Sequence, residues 1–354
     1  MYIGSTDERG LNHLVLEAAD RALDEVLAGR ASRVEVTLLP DGGIRIADDG
    51  PGAMLEPSDS VGDPGLRALL TRFFMTSSRS LPGVGLVVVN ALSSRLVAEM
   101  RREGIRQVRE YVRGTEVTPP ADERSTDSSG TSVTFWPDAD IFQTTEFSFD
   151  VLAARFRELA FLNRGADISV TDERPAEPRS DRFRFPGGVR DMVAFLDESS
   201  SELVDTGREI IGFELEEPRM AGTMDVAWRW RDAGPELIRT YANSVPTLDG
   251  GTHLLGFRDG VAAAATAYAR EHGLLEPAEP DLDTDPVSEG LTAVVSVRLE
   301  RPEYEGCTLG KLGSPAVRGH VRQSVQKELG EWLRKHPEQA ADLVGRMIRR
   351  ARRA

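Results

Sequence analysis

A single cysteine, Cys307, excludes an internal disulfide and any multi-thiolate metal site. Its ordinary role is that of a small buried or half-buried residue. Five histidines without close pairing supply no metal-ligand spacing either. No apolar run reaches the roughly 18 residues of a helical membrane span, so no membrane partner is expected. The first eight residues, Met1-Tyr2-Ile3-Gly4-Ser5-Thr6-Asp7-Glu8, lack the basic start and apolar segment of a secretory signal, and cytoplasmic residence is the expectation. Excess positive charge is missing as well. Forty-three basic against fifty-eight acidic residues leave −15, which repels nucleic acid at long range unless basic residues cluster locally. Only Arg346-Met347-Ile348-Arg349-Arg350-Ala351-Arg352-Arg353 offers such a cluster. It reads first as a solvated helix end, where cations suit the macrodipole, with DNA contact as the other reading.

What is present is 354 residues at 40% hydrophobic and 29% charged, enough for two ordinary domains. Leu11, Leu14, Val15, Leu23, Val26 and Leu27 recur at helical spacing and predict an amphipathic helix over 10–28. Residues 34–39, Pro40-Asp41-Gly42-Gly43 and 44–46 read as strand, turn, strand. A helix is expected over 64–75 and another from Gly83 through Leu92. Strands follow near 95–101, 106–113 and 131–136, with a polar, proline-containing loop over 118–125. Phe149 to Leu162 reads as helix and Asp167 to Thr171 as strand. Helices on one face of a mixed sheet fit that order. A break is expected between Pro186 and Glu202. Beyond it, 226–230 and 291–299 alternate like strands, 257–271 reads as helix, the acidic proline-containing stretch Glu276 to Glu289 as an exposed loop, and Ala316 onward as helix to the end. No internal repeat is visible.

Four short segments carry chemistry. Glu17, Arg21, Asp24 and Glu25, at offsets of four, three and one, can share one side of a helix. Asp48-Asp49-Gly50 ends a strand, where a carboxylate can meet a purine amino group and a glycine lets backbone pass close to a ligand. Gly83-Val84-Gly85 before an apolar helix can present N–H groups to phosphates. Ser129-Gly130-Thr131 enters a strand. Each alone also has an ordinary meaning: a solvated charged face, a turn, a packing turn, a loop. The glycine loop lacks the third glycine of a dinucleotide fingerprint. Gly306 to Leu312 has neither the spacing nor the Ser/Thr of a P-loop.

In order and spacing the four segments resemble the boxes of the GHKL ATPases. Val89-Asn90-Ala91-Leu92-Ser93, Gly130 to Pro137 and Glu158 to Asn163 are similar to the gyrase B branch, that of the type II topoisomerases. Asp249-Gly250-Gly251-Thr252-His253-Leu254-Leu255-Gly256-Phe257-Arg258 and Glu289 to Val297 resemble that branch's transducer. The resemblance covers nearly the whole chain. It implies an α+β GHKL (Bergerat) mixed-sheet ATPase domain over 1–198 and an α/β transducer domain over 199–354. It further implies ATP as ligand, Glu17 as general base, and Arg21, Asp24, Asp48, Gly52, Gly83, Val84, Gly85 and Thr131 around the nucleotide. A homodimer or a gyrase-like partner subunit is the implied assembly.

Several positions depart from the family pattern. Arg21 replaces the asparagine that ligates Mg²⁺, and a guanidinium has only donors, so no metal ligand is expected there. It stands within reach of Glu17 or Glu25. Pro51 replaces an arginine that pairs with the carboxylate at Glu25, and Pro82 replaces a phosphate-loop histidine. The lid between Met75 and Leu81 is short. Cys307-Thr308-Leu309 replaces Gln-Thr-Lys, with Lys311 two places on. Set against that resemblance, the expectation is of a chain whose partner-crossing arm is missing or left out of this sequence, and without a Toprim cleavage domain. The expectation is a gyrase-B-like nucleotide-binding protein with weak or lost hydrolysis, or else a pseudo-ATPase module regulating a topoisomerase or another partner.

Overall fold

Asp7 starts the first helix, its carboxylate accepting from the Arg9 and Gly10 N–H groups. Helix α1 (Glu8–Leu27) then buries Leu11, Leu14, Val15, Ala18, Ala22 and Leu23 on its apolar face. In the computed structural model, residues 3–53, 65–72, 85–117, 124–199, 209–232, 234–306 and 309–352 are described. The chain divides into two compact units, Met1–Gly188 and Val189–Ala354.

The first unit continues with β1 (Arg33–Leu38), β2 (Ile44–Asp48), α2 (Gly65–Thr71), α3 (Leu86–Ala91), β3 (Ser93–Arg102), β4 (Ile105–Val112), β5 (Thr115–Glu116), β6 (Arg124–Ser125), β7 (Gly130–Pro137), α4 (Phe149–Leu162), β8 (Asp167–Asp172) and β9 (Arg179–Phe183). Their sheet runs β5-β4-β3-β7-β2-β1-β8-β9, with β6 paired to β4. It is mixed, because β1 runs parallel to β8 and antiparallel to β2. Alternation along β1 and β2 places Val34, Val36, Ile44 and Ile46 in the core. Helix α1 packs on β1, β2 and β7, and α4 on β8 and β9. Part of the loop expected over 118–125 is strand, since Arg124 and Ser125 pair with Arg106 and Ile105; its residues 118–123 lie outside the described residues.

The second unit comprises α5 (Val189–Ser199), β10 (Ile211–Glu217), β11 (Gly222–Trp230), β12 (Leu237–Ala242), β13 (Val245–Pro246), α6 (Thr252–Glu271), α7 (Thr284–Ser288), β14 (Leu291–Leu299), α8 (Pro315–Lys335) and α9 (Pro337–Ala351). Its sheet order is β10-β11-β14-β12-β13. Central β14 is buried on both faces, which its continuous apolar run requires.

Three expectations change here. The stretch from Pro186 to Glu202, read as a break, contains α5, whose apolar positions Val189, Met192 and Val193 are buried. Its charged residues mask them in composition. Helix α5 packs on β11 and β14, and buried Asp197 accepts from Thr292 Oγ1 at 2.5 Å and from Arg229. Helix α5 thus belongs to the compact unit Val189–Ala354, while the sequence reading places the domains at 1–198 and 199–354. The acidic stretch Glu276 to Glu289 is not wholly an exposed loop, for it holds α7 and buries Leu282 and Val287, with Trp230 Nε1 donating to the Val287 carbonyl at 2.9 Å. The final helical run breaks at His336, because Pro337 lacks the N–H that would continue it.

Helices α6 and α8 meet through glycines. A Cβ added at Gly256 would lie 2.4 Å from the Arg318 carbonyl oxygen, and one at Gly260 2.7 Å from that of Arg322. Neither helix can move without opening the core they share. Gly256→Ala should cost about 1–3 kcal/mol. Gly319→Ala, on the outer face of α8 with nothing near its Cβ, should instead gain about 0.5–1 kcal/mol. Chemical denaturation of both variants checks this: equal effects would show that the two helices are not in the contact described.

Candidate functional site

The register of the central sheet builds the site. Strand β2 pairs antiparallel with β7 so that Asp48 lies opposite Thr131. Gly130, at φ +134, makes this possible, since a Cβ there would stand 2.2 Å from the Asp48 carbonyl oxygen. The chain leaving β2 is drawn against β3 by Gly52 at φ +81, whose carbonyl accepts from Arg102 Nη1 at 3.2 Å. Helix α1 brings its polar face over this corner. Glu17, Arg21, Asp24, Asp48, Gly52, Gly85 and Thr131 thus fall on the elements expected for them. Gly83 and Val84 lie outside the described residues, as do Pro82, the lid segment 75–81, Cys307 and Thr308.

Arg21 is the hub of the polar contacts. Its Nη2 donates to Thr131 Oγ1 and lies 3.4 Å from Asp48 Oδ2, while Nη1 lies 3.8 Å from Glu25 Oε1. Thr131 Oγ1 also accepts from the Ala53 N–H at 2.8 Å. Asp48 Oδ1 accepts from the Gly50 N–H at 3.0 Å. Burial pushes the Asp48 carboxyl above its ordinary value, with Arg21 opposing that shift and Glu25 adding to it. Its neighbour behaves oppositely. Burial works against ionisation of Asp49 too, but hydrogen bonds from the Ser32 hydroxyl and the Ser32 and Arg33 N–H groups outweigh it and hold Asp49 below the ordinary range.

Glu17 is not tied to Arg21. Buried at 5% exposure, it has one oxygen 3.1 Å from His13 Nε2, and its other oxygen accepts from the Gly85 N–H at 2.8 Å. His13 was not singled out from the sequence, although its place four residues before Glu17 on α1 was the available signal. Gly85, at φ +79, caps the six-residue α3, and its N–H is directed at a protein carboxylate.

Glu25 has its own arginine partner in the chain. Arg30 donates to Glu25 from Nε at 2.8 Å and from Nη2 at 3.2 Å. Lys311, two places after Leu309, has a half-exposed acidic partner. It pairs with Glu305 at 2.6 Å across a hairpin neck in which the Glu305 N–H donates to the Lys311 carbonyl. Leu309 sits at φ +56 at the tip. The basic C-terminal cluster is largely paired as well: Arg346 with Asp232 and Asp342, Arg350 with Glu289, and Arg352 with Glu279.

The comparisons agree with this geometry. Residues 6–141 match the family model for the histidine kinase-, DNA gyrase B-, and HSP90-like ATPase, and residues 188–354 match the DNA gyrase B model. The DNA gyrase B protein of Streptomyces coelicolor is 39% identical over 99% of this chain and 54% of its own length. That of Haloferax volcanii is 38% identical over 99% of this chain and 56% of its own. The chain thus spans about half the length of these curated relatives. Among solved structures, the 43K ATPase domain of Thermus thermophilus gyrase B, in complex with an aminocoumarin, superposes with a TM-score of 0.83 at 33% identity, covering 100% of this chain and 93% of that one. The topoisomerase IV ATP-binding domain of Francisella tularensis, in complex with a small-molecule inhibitor, gives 0.79 at 26% identity, covering 100% and 94%. With both units matched in sequence and in fold, the chain belongs to the DNA gyrase B family of GHKL ATPases.

Proposed function

We propose that the first unit binds ATP through Asp48 and Thr131, with Glu17, Arg21, Asp24, Gly52 and the Gly83-Val84-Gly85 loop around the nucleotide. In this reading hydrolysis is weak or lost, and the second unit is a transducer. The observation that carries it is the engagement of Arg21 with Asp48, Thr131 and Glu25 at the place of a metal ligand. A guanidinium only donates, so the residues here do not fit Mg²⁺, and no step is assigned to a metal. Leu309 cannot neutralise a γ-phosphate, and Lys311 is paired with Glu305. The pairing of Arg346, Arg350 and Arg352 at the arginine-rich end of α9 supports its reading as a solvated helix end rather than a DNA contact. The same contacts suit a pseudo-ATPase module that regulates a topoisomerase by binding nucleotide without turning it over.

Magnitudes favour loss of turnover. A general base contributes about 10²–10⁴-fold, while each missing charge stabiliser removes on the order of 10²–10³-fold. Two are replaced in this reading, and one oxygen of Glu17 accepts from the Gly85 N–H while the other lies beside His13. Steady-state assays should show no ATPase activity above background. Turnover that disappears in Glu17→Ala would overturn the reading. Calorimetric titration of ATP should give the same affinity with Mg²⁺ as with chelator, and a requirement for Mg²⁺ would restore a metal to the site.

Asp48 gives a third expectation. Because burial raises its folded pKa, the cost of its charge is fully present at neutral pH and vanishes as pH falls below the ordinary 3.8, where folded and unfolded chains are both protonated. Asp48→Asn should abolish nucleotide binding yet raise Tm at pH 7. The gain should shrink as acid is added. A Tm that falls at pH 7 would mean that the contact with Arg21 outweighs desolvation.

A further inference from the structure

The acceptors that would read a ligand in this pocket are already taken by the chain itself. Thr131 Oγ1 has two lone pairs. One accepts from the Ala53 N–H and the other from Arg21. Asp48 Oδ1 accepts from Gly50, and Oδ2 faces Arg21 at 3.4 Å. Arg21 itself is held rather than floating, with a side chain only 15% exposed. One of its nitrogens is poorly served: Nη1 is buried and makes no hydrogen bond among the described residues, with Glu25 Oε1 3.8 Å away.

We propose that Arg21 is an internal plug of the Asp48 pocket, an autoinhibitory side chain that a ligand must displace before its ring can reach Asp48 and Thr131. This rests on the nucleotide reading of the pocket given above. The displaced guanidinium has a destination. A small rotation toward Glu25 gives Nη1 the acceptor it lacks, so the side chain has two stations, one across Asp48 and Thr131 and one at Glu25. Charge is conserved between them, which lets the plug move without an unpaired cation being buried. Apparent affinity is then the intrinsic affinity multiplied by the fraction of molecules in which the plug is withdrawn.

The test uses the full chain with two probes, adenosine and a non-hydrolysable ATP analogue, titrated calorimetrically into wild type, Arg21→Ala and Arg21→Asn. A plug withdrawn in about a tenth of molecules predicts that both variants bind adenosine about tenfold tighter than wild type. Their ligand-free Tm should fall at the same time, because Asp48 loses its cation. A purely structural role would lower Tm and affinity together. Asparagine is a compact amide and preserves folding if alanine does not. Folded variants that bind no tighter than wild type would overturn the plug and leave the nucleotide reading standing. Failure of wild type and both variants to bind either probe would remove the nucleotide reading, and the plug with it.

Discussion

Three carboxylates, Glu17, Glu25 and Asp48, are gathered on one corner of the first unit, and their charge has to be met within it. The chain meets it residue by residue. Glu17 receives a backbone donor and lies beside His13, Glu25 receives Arg30, and Arg21 spans Glu25 and Asp48. Buried carboxylates without such partners would shift towards their neutral forms or destabilise the fold. The raised pKa of Asp48 shows how close this balance is, since desolvation still outweighs the arginine beside it.

The backbone around these groups is held by sterics rather than charge. Gly130 and Gly52 occupy positions where any Cβ would collide with main-chain oxygen, so the approach of β2 to β7 and of the following loop to β3 is fixed by what is missing from those residues. This scaffold does not depend on which cation serves the carboxylates. The backbone approach and the pairing of the carboxylates act on different parts of the free energy, one steric and one electrostatic. The second unit has its own version of the same constraint, with Gly256 and Gly260 setting the approach of α6 to α8.

Much of this was legible in the sequence where a strong period coincided with burial. Helices α1 and α4 and strands β1, β2, β7, β8 and β14 follow their apolar spacing closely. Helix α5 escaped because its buried positions are few and lie among charges, one of which, Asp197, is itself buried with arginine partners. The residues of the pocket could be named from their order along the chain, but their partners could not. That Arg21 would reach across to a strand, that Arg30 would serve Glu25, and that His13 and Gly85 would share Glu17 are contacts between distant or unpatterned residues, visible only once the strands are in register.

An arginine and a metal ion neutralise the same carboxylates in different ways. A diffusible cation arrives with its ligand, binds only while oxygen donors converge on it, and leaves with the product, so its charge is tied to the nucleotide. A guanidinium on α1 is present at fixed effective concentration whether or not a ligand is there, and it competes for the oxygens it neutralises. Exchanging one for the other therefore separates two properties that a metal-dependent ATPase keeps together. In the proposed reading, the acidic corner is neutralised by a charge that does not depend on the nucleotide. In that reading Arg21 bears on the order of events in the site more than on its shape, and the fold around it matches that of its family.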